Sequence, residues 1–282
     1  MEIRKLNHSD VLDILPDRDI HAHKGDFGKI LLLCGSKGYT GAAFLAATGA
    51  LRAGAGLVYL GVPECIYQIE AIKLAEAIVF SLPEKDGKLS VDSLSILRDL
   101  WKKMDTILIG PGMGCNEDTF IITKTILQEF SGTVILDADG INVLANHIDI
   151  LRGRTSPTIL TPHAGEFSRI FEDNKHDRTS SAISFAKNTG SIVLLKGHET
   201  VVTDGQICYL NTTGNPGMAV GGSGDVLAGI VTALVGQKIP PVEATAAAAW
   251  IHGAAGDICA DEIGQYGMLP TDMLKVLPRL LK

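Results

Sequence analysis

The densest chemistry in this sequence lies in Asn211-Thr-Thr-Gly-Asn-Pro-Gly-Met-Ala-Val-Gly-Gly-Ser-Gly-Asp225, directly before an apolar run. Gly221, Gly222 and Gly224 let backbone amides turn inward around an anion. A helix starting there adds its own free amides and the positive end of its dipole. Asp225 falls in the first turn of that helix. A carboxylate beside a held phosphate can accept a proton from an attacking hydroxyl. Glycine-rich turns and first-turn acids also arise for purely structural reasons. Four further glycine-rich or polar loops, each after a predicted strand, favour the chemical reading.

Each of those loops has two readings. Residues 109–114, Ile-Gly-Pro-Gly-Met-Gly, let a planar or phosphorylated ligand approach the backbone, or form an ordinary turn. Asp137 and Asp139 end a strand. They can hold magnesium through water or contact a ribose hydroxyl, and Asp139 can equally cap the next helix. In 161–166, Glu166 either orients a metal-bound water or is a first-turn acid, and His163 either touches substrate or caps. Lys196 either meets phosphate as a point charge or is a solvated strand-end lysine. His21 and His23 lack a third ligand at suitable spacing and are read as non-metal residues. No Walker A sequence, nucleophile elbow or dinucleotide fingerprint directly after a strand occurs.

Positioning these groups requires a scaffold. Short apolar runs at 29–34, 57–62, 77–80, 106–110, 133–137, 157–161 and 191–196 read as buried strands. Helical stretches at 42–53, 91–103, 117–130, 140–146, 165–170 and 179–188 separate many of them. A hairpin follows, with strands at 200–203 and 206–210 around Asp204-Gly205. Helical patterns at 226–235 and 242–261 come next. Strand–helix alternation predicts an α/β fold, a three-layer α/β/α sandwich on a mostly parallel sheet. One domain over 1–282 is the expectation, with no internal repeat or linker. Ligands in such sheets bind at the carboxyl ends of strands, which selects the loops 35–43, 110–114, 137–142, 161–166 and 196–200.

Composition narrows the function classes. A formal net charge of −7 disfavours a nucleic-acid polymer as partner. It leaves a nucleotide site open, because loop amides hold phosphate without net positive charge. The five cysteines are scattered and contain no Cys-x-x-Cys pair, which suits reduced thiols in a cytoplasmic protein. No run approaches a membrane span, and residues 1–13 contain no signal-like apolar stretch. The run 41–56 reads as a helix packed closely on the sheet. The Ala-rich 242–261 stretch can pack inside the fold or against another subunit. A homo-oligomer is expected, with a tetramer as the candidate state.

Taken together, residues 23–28, 35–43, 109–114, 136–144, 160–167, 196–201 and 215–225 resemble the nucleotide-dependent NAD(P)H-hydrate dehydratases of the ribokinase-like superfamily. The resemblance spans residue 20 to the end. Some members carry a preceding epimerase domain, and this chain resembles the stand-alone dehydratase. The resemblance implies that Asp225 is the catalytic acid contacting the substrate hydroxyl. It implies an anion hole from Gly221, Gly222, Ser223 and Gly224. Lys196, Gly197, His198, Glu199 and Thr200, with Asn215, Pro216, Gly217 and Met218, would line the nucleotide pocket. Ala43, Gly114, His163, Ala164, Gly165, Glu166, Phe167, Ser168 and Arg169 would line the pocket for hydrated NADH or NADPH. Superfamily kinases often carry Asn-x-x-Glu near the metal. Here His163-x-x-Glu166 stands instead, and Mg2+ is expected to meet Glu166 through water.

The implied reaction phosphorylates the ring hydroxyl of the S form and then expels phosphate, restoring NADH or NADPH. The Gly-Gly-Ser-Gly-Asp form is similar to that of bacterial members, which implies ADP rather than ATP as donor, with AMP released. The rival readings are a ribokinase-like kinase of a thiazole or pyrimidine alcohol and a non-catalytic nucleotide-binding protein.

Overall fold

Runs of Ile, Val and Leu without a polar face form strands that must be covered on both sides. In the computed structural model, which describes residues 2–172 and 177–281, they do so. The first half contains β1 (Ile3–Arg4), α1 (His8–Ile14), β2 (Lys29–Leu33), α2 (Thr40–Arg52), β3 (Leu57–Pro63), α3 (Glu64–Lys73) and β4 (Ile78–Leu82). It continues with β5 (Glu84–Lys85), β6 (Lys88–Leu89), α4 (Leu94–Trp101), β7 (Thr106–Ile109), α5 (Glu117–Glu129) and β8 (Thr133–Leu136). The second half contains α6 (Asp139–Asn142), α7 (Asp149–Arg152), β9 (Thr158–Leu160), α8 (Ala164–Ile170), α9 (Arg178–Thr189) and β10 (Ile192–Leu195). The hairpin β11 (Thr200–Thr203) and β12 (Cys208–Asn211) precedes α10 (Ser223–Gly236), α11 (Pro241–Glu262) and α12 (Pro270–Val276).

The main sheet runs β1-β12-β11-β10-β9-β8-β7-β2-β3-β4. Every pairing from β10 to β4 is parallel, and the β11–β12 hairpin supplies the antiparallel pairings. Alternation along each strand divides the core in two. Ile30, Leu32, Leu108, Ile135 and Leu194 enter the layer that contains α2, α10 and α11. Leu31, Leu33, Ile107, Leu136 and Leu195 enter the layer that contains α4, α5 and α9. This is the α/β/α sandwich expected from the sequence.

The strands that carry the five selected loops, β2, β7, β8, β9 and β10, are consecutive neighbours in this parallel block. Their carboxyl ends therefore open along one sheet edge. The helix from 41 packs most closely on α10 rather than on the sheet. A Cβ at Gly49 would stand 2.8 Å from the Val226 carbonyl oxygen, and one at Gly229 would overlap the Ala46 carbonyl. The Ala-rich α11 is buried within the chain along most of its length.

Some elements differ from the expectation. Helix α3 carries little sequence signal, because it buries only Ile66 and Glu70 while Ile69 and Ile72 face outward. The β5–β6 hairpin is an element beyond the expected set, and its Asp86-Gly87 turn, with φ of 54° and 77°, follows a known hairpin signal. The helix expected over 140–146 is the short α6, followed by turns. All five cysteines are free. No helix among the described residues is long and apolar enough to cross a membrane.

Candidate active site

Strand β8 ends in a tight turn from Asp137 to Gly140, closed by a 2.9 Å bond from Gly140 N to the Asp137 carbonyl. Ala138 holds φ 47°, ψ −114°, the first central position of a type II′ turn, which favours glycine. Gly110 is indispensable here, because a Cβ on it would overlap the Asp137 carbonyl. The turn aims two carboxylates in different directions. Asp139 accepts from Gly114 N at 2.7 Å and from Cys115 Sγ at 3.1 Å. Its side chain therefore fixes the glycine loop after β7 and does not cap α6. Asp137, 2% exposed, accepts from Thr161 Oγ1 at 2.6 Å and from Lys196 Nζ at 2.8 Å. Replacing Ala138 with glycine is expected to relieve the strained φ and stabilise the fold by about 1 kcal/mol. A lower melting temperature in A138G would contradict the strain.

Lys196 is thus not a solvated strand-end lysine. Besides Asp137, its ammonium stands 4.0 Å from Glu166 Oε2. Burial alone would lower its pKa, but Asp137, Glu166 and Asp225 together hold it above the usual lysine value. A Cβ on Gly224 would lie 3.3 Å from Nζ, so this cation stands at the start of α10, beside the glycine loop.

Gly222 caps α10 with φ 96°, and Ser223, Gly224 and Asp225 form its first turn. Nothing lies within 4 Å of a Cβ built on Gly221, so the outer side of the loop is open. Burial pushes the Asp225 carboxyl up to about 7, with Asp137 adding to the rise and Lys196 opposing it. Its environment therefore tunes Asp225 to exchange a proton near neutral pH.

Two loops flank this centre. Asn215 caps a short 3₁₀ turn, Pro216–Met218, by accepting from Gly217 N at 3.0 Å. Asp257 on α11 holds that loop, accepting from Gly214 N at 2.8 Å and from Asn215 Nδ2 at 3.0 Å. A Cβ on Gly253 would strike Thr213, which explains a small residue there. On the other side, Arg178 of α9 clamps the 196–200 loop. Its guanidinium donates to the carbonyls of Leu195, Lys196 and His198 at 2.9, 3.0 and 2.7 Å. Gly197, His198 and Glu199 are exposed, with Thr200 half-buried.

The residues expected to line the hydrated-dinucleotide pocket are placed unevenly. His163 caps α8: its Nδ1 accepts from Gly165 N and Glu166 N, and Glu166 answers by accepting from His163 N at 2.9 Å. Its ring remains half-exposed, so the capping role leaves the Nε2 side of the ring accessible. Ala164, Gly165, Ser168 and Arg169 are exposed, whereas Glu166 and Phe167 are buried. Ala43 is fully buried, under Gly35. Gly114 is half-buried beneath the side chain of Lys88, delivered by the unanticipated β6. Among the described residues, no group of three or more His, Cys, Asp or Glu is placed to hold a metal.

Sequence reasoning missed His252, Asp257, Arg178 and Lys88. The first two stand in an Ala-rich helix that reads as packing, and a polar residue with buried neighbours there was the available signal.

A family model for NAD(P)H-hydrate dehydratase matches residues 30–279. The bifunctional NAD(P)H-hydrate repair enzyme Nnr of Moorella thermoacetica is 43% identical over 275 residues, 95% of this chain and 52% of that protein. The Nnr of Thermofilum pendens is 36% identical over the same shares. The chain thus spans about half the length of these curated relatives. The ADP/ATP-dependent NAD(P)H-hydrate dehydratase of Bacillus subtilis, co-crystallized with ATP/Mg2+, superposes with a TM-score of 0.83 at 30% identity, covering 99% of this chain and 98% of that one. The hydroxyethylthiazole kinase of Pyrococcus horikoshii, 15% identical with a TM-score of 0.65, covers 96% and 92% and shares the fold alone. By sequence match and by structure, the chain belongs to the NAD(P)H-hydrate dehydratase family.

Proposed function

We propose that this chain restores NADH or NADPH from the S form of their hydrates, using the terminal phosphoryl group of ADP or ATP. The observation that carries the reading is Asp225, a carboxylate tuned to about 7, in the first turn of a glycine-capped helix beside Lys196. Asp225 takes the proton of the ring hydroxyl as its oxygen bonds to the terminal phosphorus. The bond from that phosphorus to the nucleotide breaks, and AMP leaves when ADP is the donor. The amides of 221–224 hold the charge in transit. The ring nitrogen's electron pair then expels phosphate, and loss of a proton from the adjacent carbon restores the double bond.

The 196–200 and 215–218 loops are proposed to hold the nucleotide, and Ala43, Gly114 and the 163–169 segment the dinucleotide. The buried Ala43 would act by shaping the pocket wall. Magnesium would supply charge neutralisation on the phosphates, ligated by phosphate oxygens and water, with Glu166 reached only through water. A soluble cytoplasmic homo-oligomer remains part of this reading.

The test incubates the chain with hydrated NADH, magnesium and either ADP or ATP, and follows reduced-nicotinamide absorbance. Recovery with matching release of phosphate supports the reading. Accumulation of a stable phosphorylated thiazole or pyrimidine alcohol, with no recovery, would assign a kinase instead. Tight nucleotide binding without any product would assign a binding protein.

A further inference from the structure

Helix α11 carries one imidazole into the interior behind the glycine loop. His252 is 8% exposed. Its Nε2 lies 2.9 Å from the Ser223 carbonyl oxygen and 3.3 Å from Ser223 Oγ. The carbonyl can only accept, so Nε2 carries the proton and donates. Burial, with Lys196 adding to it and the Ser223 bond opposing, lowers the His252 pKa to about 4. The ring is therefore neutral at physiological pH.

The Ser223 carbonyl and the Gly224 N–H belong to one planar peptide unit and point in opposite directions. Gripping the carbonyl from behind fixes where the N–H aims in front. Withdrawing electron density through the carbonyl also strengthens that N–H as a donor. That plane ends at the Gly224 Cα, one peptide unit before Asp225.

We propose that His252 is a positioning residue that sets the Gly224 amide, and with it the anion cradle, for the transferable phosphate. The proposal rests on the functional reading above for the identity of that phosphate. α11 then serves both halves of the nucleotide site: Asp257 fixes the 214–217 loop, and His252, earlier on the same helix, fixes the cradle.

The test compares two amide substitutions. His252→Gln can return an N–H near the position of Nε2, whereas His252→Asn falls short of it. His252→Phe fills the space without a donor and replaces the Asn variant if that does not fold. ADP and AMP binding are measured by calorimetry, and turnover of hydrated NADH by absorbance. The expected result is a loss in ADP affinity and kcat on the order of tenfold to a hundredfold in H252N. AMP, which lacks the transferable phosphate, should bind all of these variants as it binds the parent. H252Q should recover most of both losses. Equal weakening of ADP and AMP, no advantage of Gln over Asn, or parental kcat in H252N would overturn the proposal. Failure of the unaltered chain to restore NADH would count against the dehydratase reading alone, because the ADP-against-AMP comparison needs no turnover.

Discussion

Replacing Asp225 with Asn is expected to cost activity about a hundredfold or more while making the protein more stable above neutral pH. On the proposed reaction, the activity loss follows from removing the group that would accept the proton of the substrate hydroxyl. The stability gain follows from the environment of the carboxyl. An ordinary Asp ionises near 3.8, whereas the fold raises Asp225 to about 7. Between those values the unfolded chain has released the proton and the folded chain retains it. Stability therefore falls as pH climbs from about 4 to 7 and stays at the lower level beyond. Asn carries no such cost, so D225N should melt at a higher temperature than the parent at pH 8 and gain little at pH 4. The raised carboxyl also predicts that kcat/KM of the parent rises with pH through an acid limb near 7. Thermal melts at the two pH values, with a kcat/KM profile, check all three statements. Near-parental turnover in D225N would remove Asp225 from its role, and equal melting temperatures at pH 8 would deny the buried carboxylate.

The sandwich and the edge where its loops converge were legible because apolar runs and strand-end glycines are local signals. The β2, β7, β8, β9 and β10 runs have no polar face, and a parallel sheet is the arrangement that hides both sides. The loops then follow from topology. The charge arrangement was not legible. Residues 137 and 196 are 59 positions apart, and only the parallel pairing β8–β9–β10 brings them within 2.8 Å. For Asp139 the sequence position allows a helix cap or a ligand contact, and neither names a protein partner outside its own turn. Its actual partner, Gly114 N, comes from the neighbouring strand end. His252 and Asp257 were hidden for a different reason. In a helix of small residues the few polar ones carry no period, and their partners lie in loops whose path no local pattern specifies.

Replacing Lys196 with Met should damage stability and pH response together, because one ammonium neutralises several buried carboxylates. Asp137 is 2% exposed, and in K196M it would keep only the Thr161 hydroxyl as a side-chain partner among the described residues. Leaving a buried charge without its counter-ion typically costs about 3–5 kcal/mol. Lys196 is also the group that draws the Asp225 pKa down, while Asp137 pushes it up. K196M should therefore move the acid limb of kcat/KM above pH 7, so that activity lost at neutral pH is partly regained in alkali. Adding Asp137→Asn removes the orphaned charge. The double variant should recover most of the stability and return the acid limb downward. The parent pair behaves consistently: the folded Lys196 pKa lies above 10.5, so its contribution persists across neutral pH and is lost only as pH rises through that raised value. Denaturant midpoints and pH–rate profiles for the four corners of this cycle separate stabilisation from proton tuning. If K196M kept the parental midpoint and the parental acid limb, the Asp137–Lys196 pair would govern neither the fold nor Asp225.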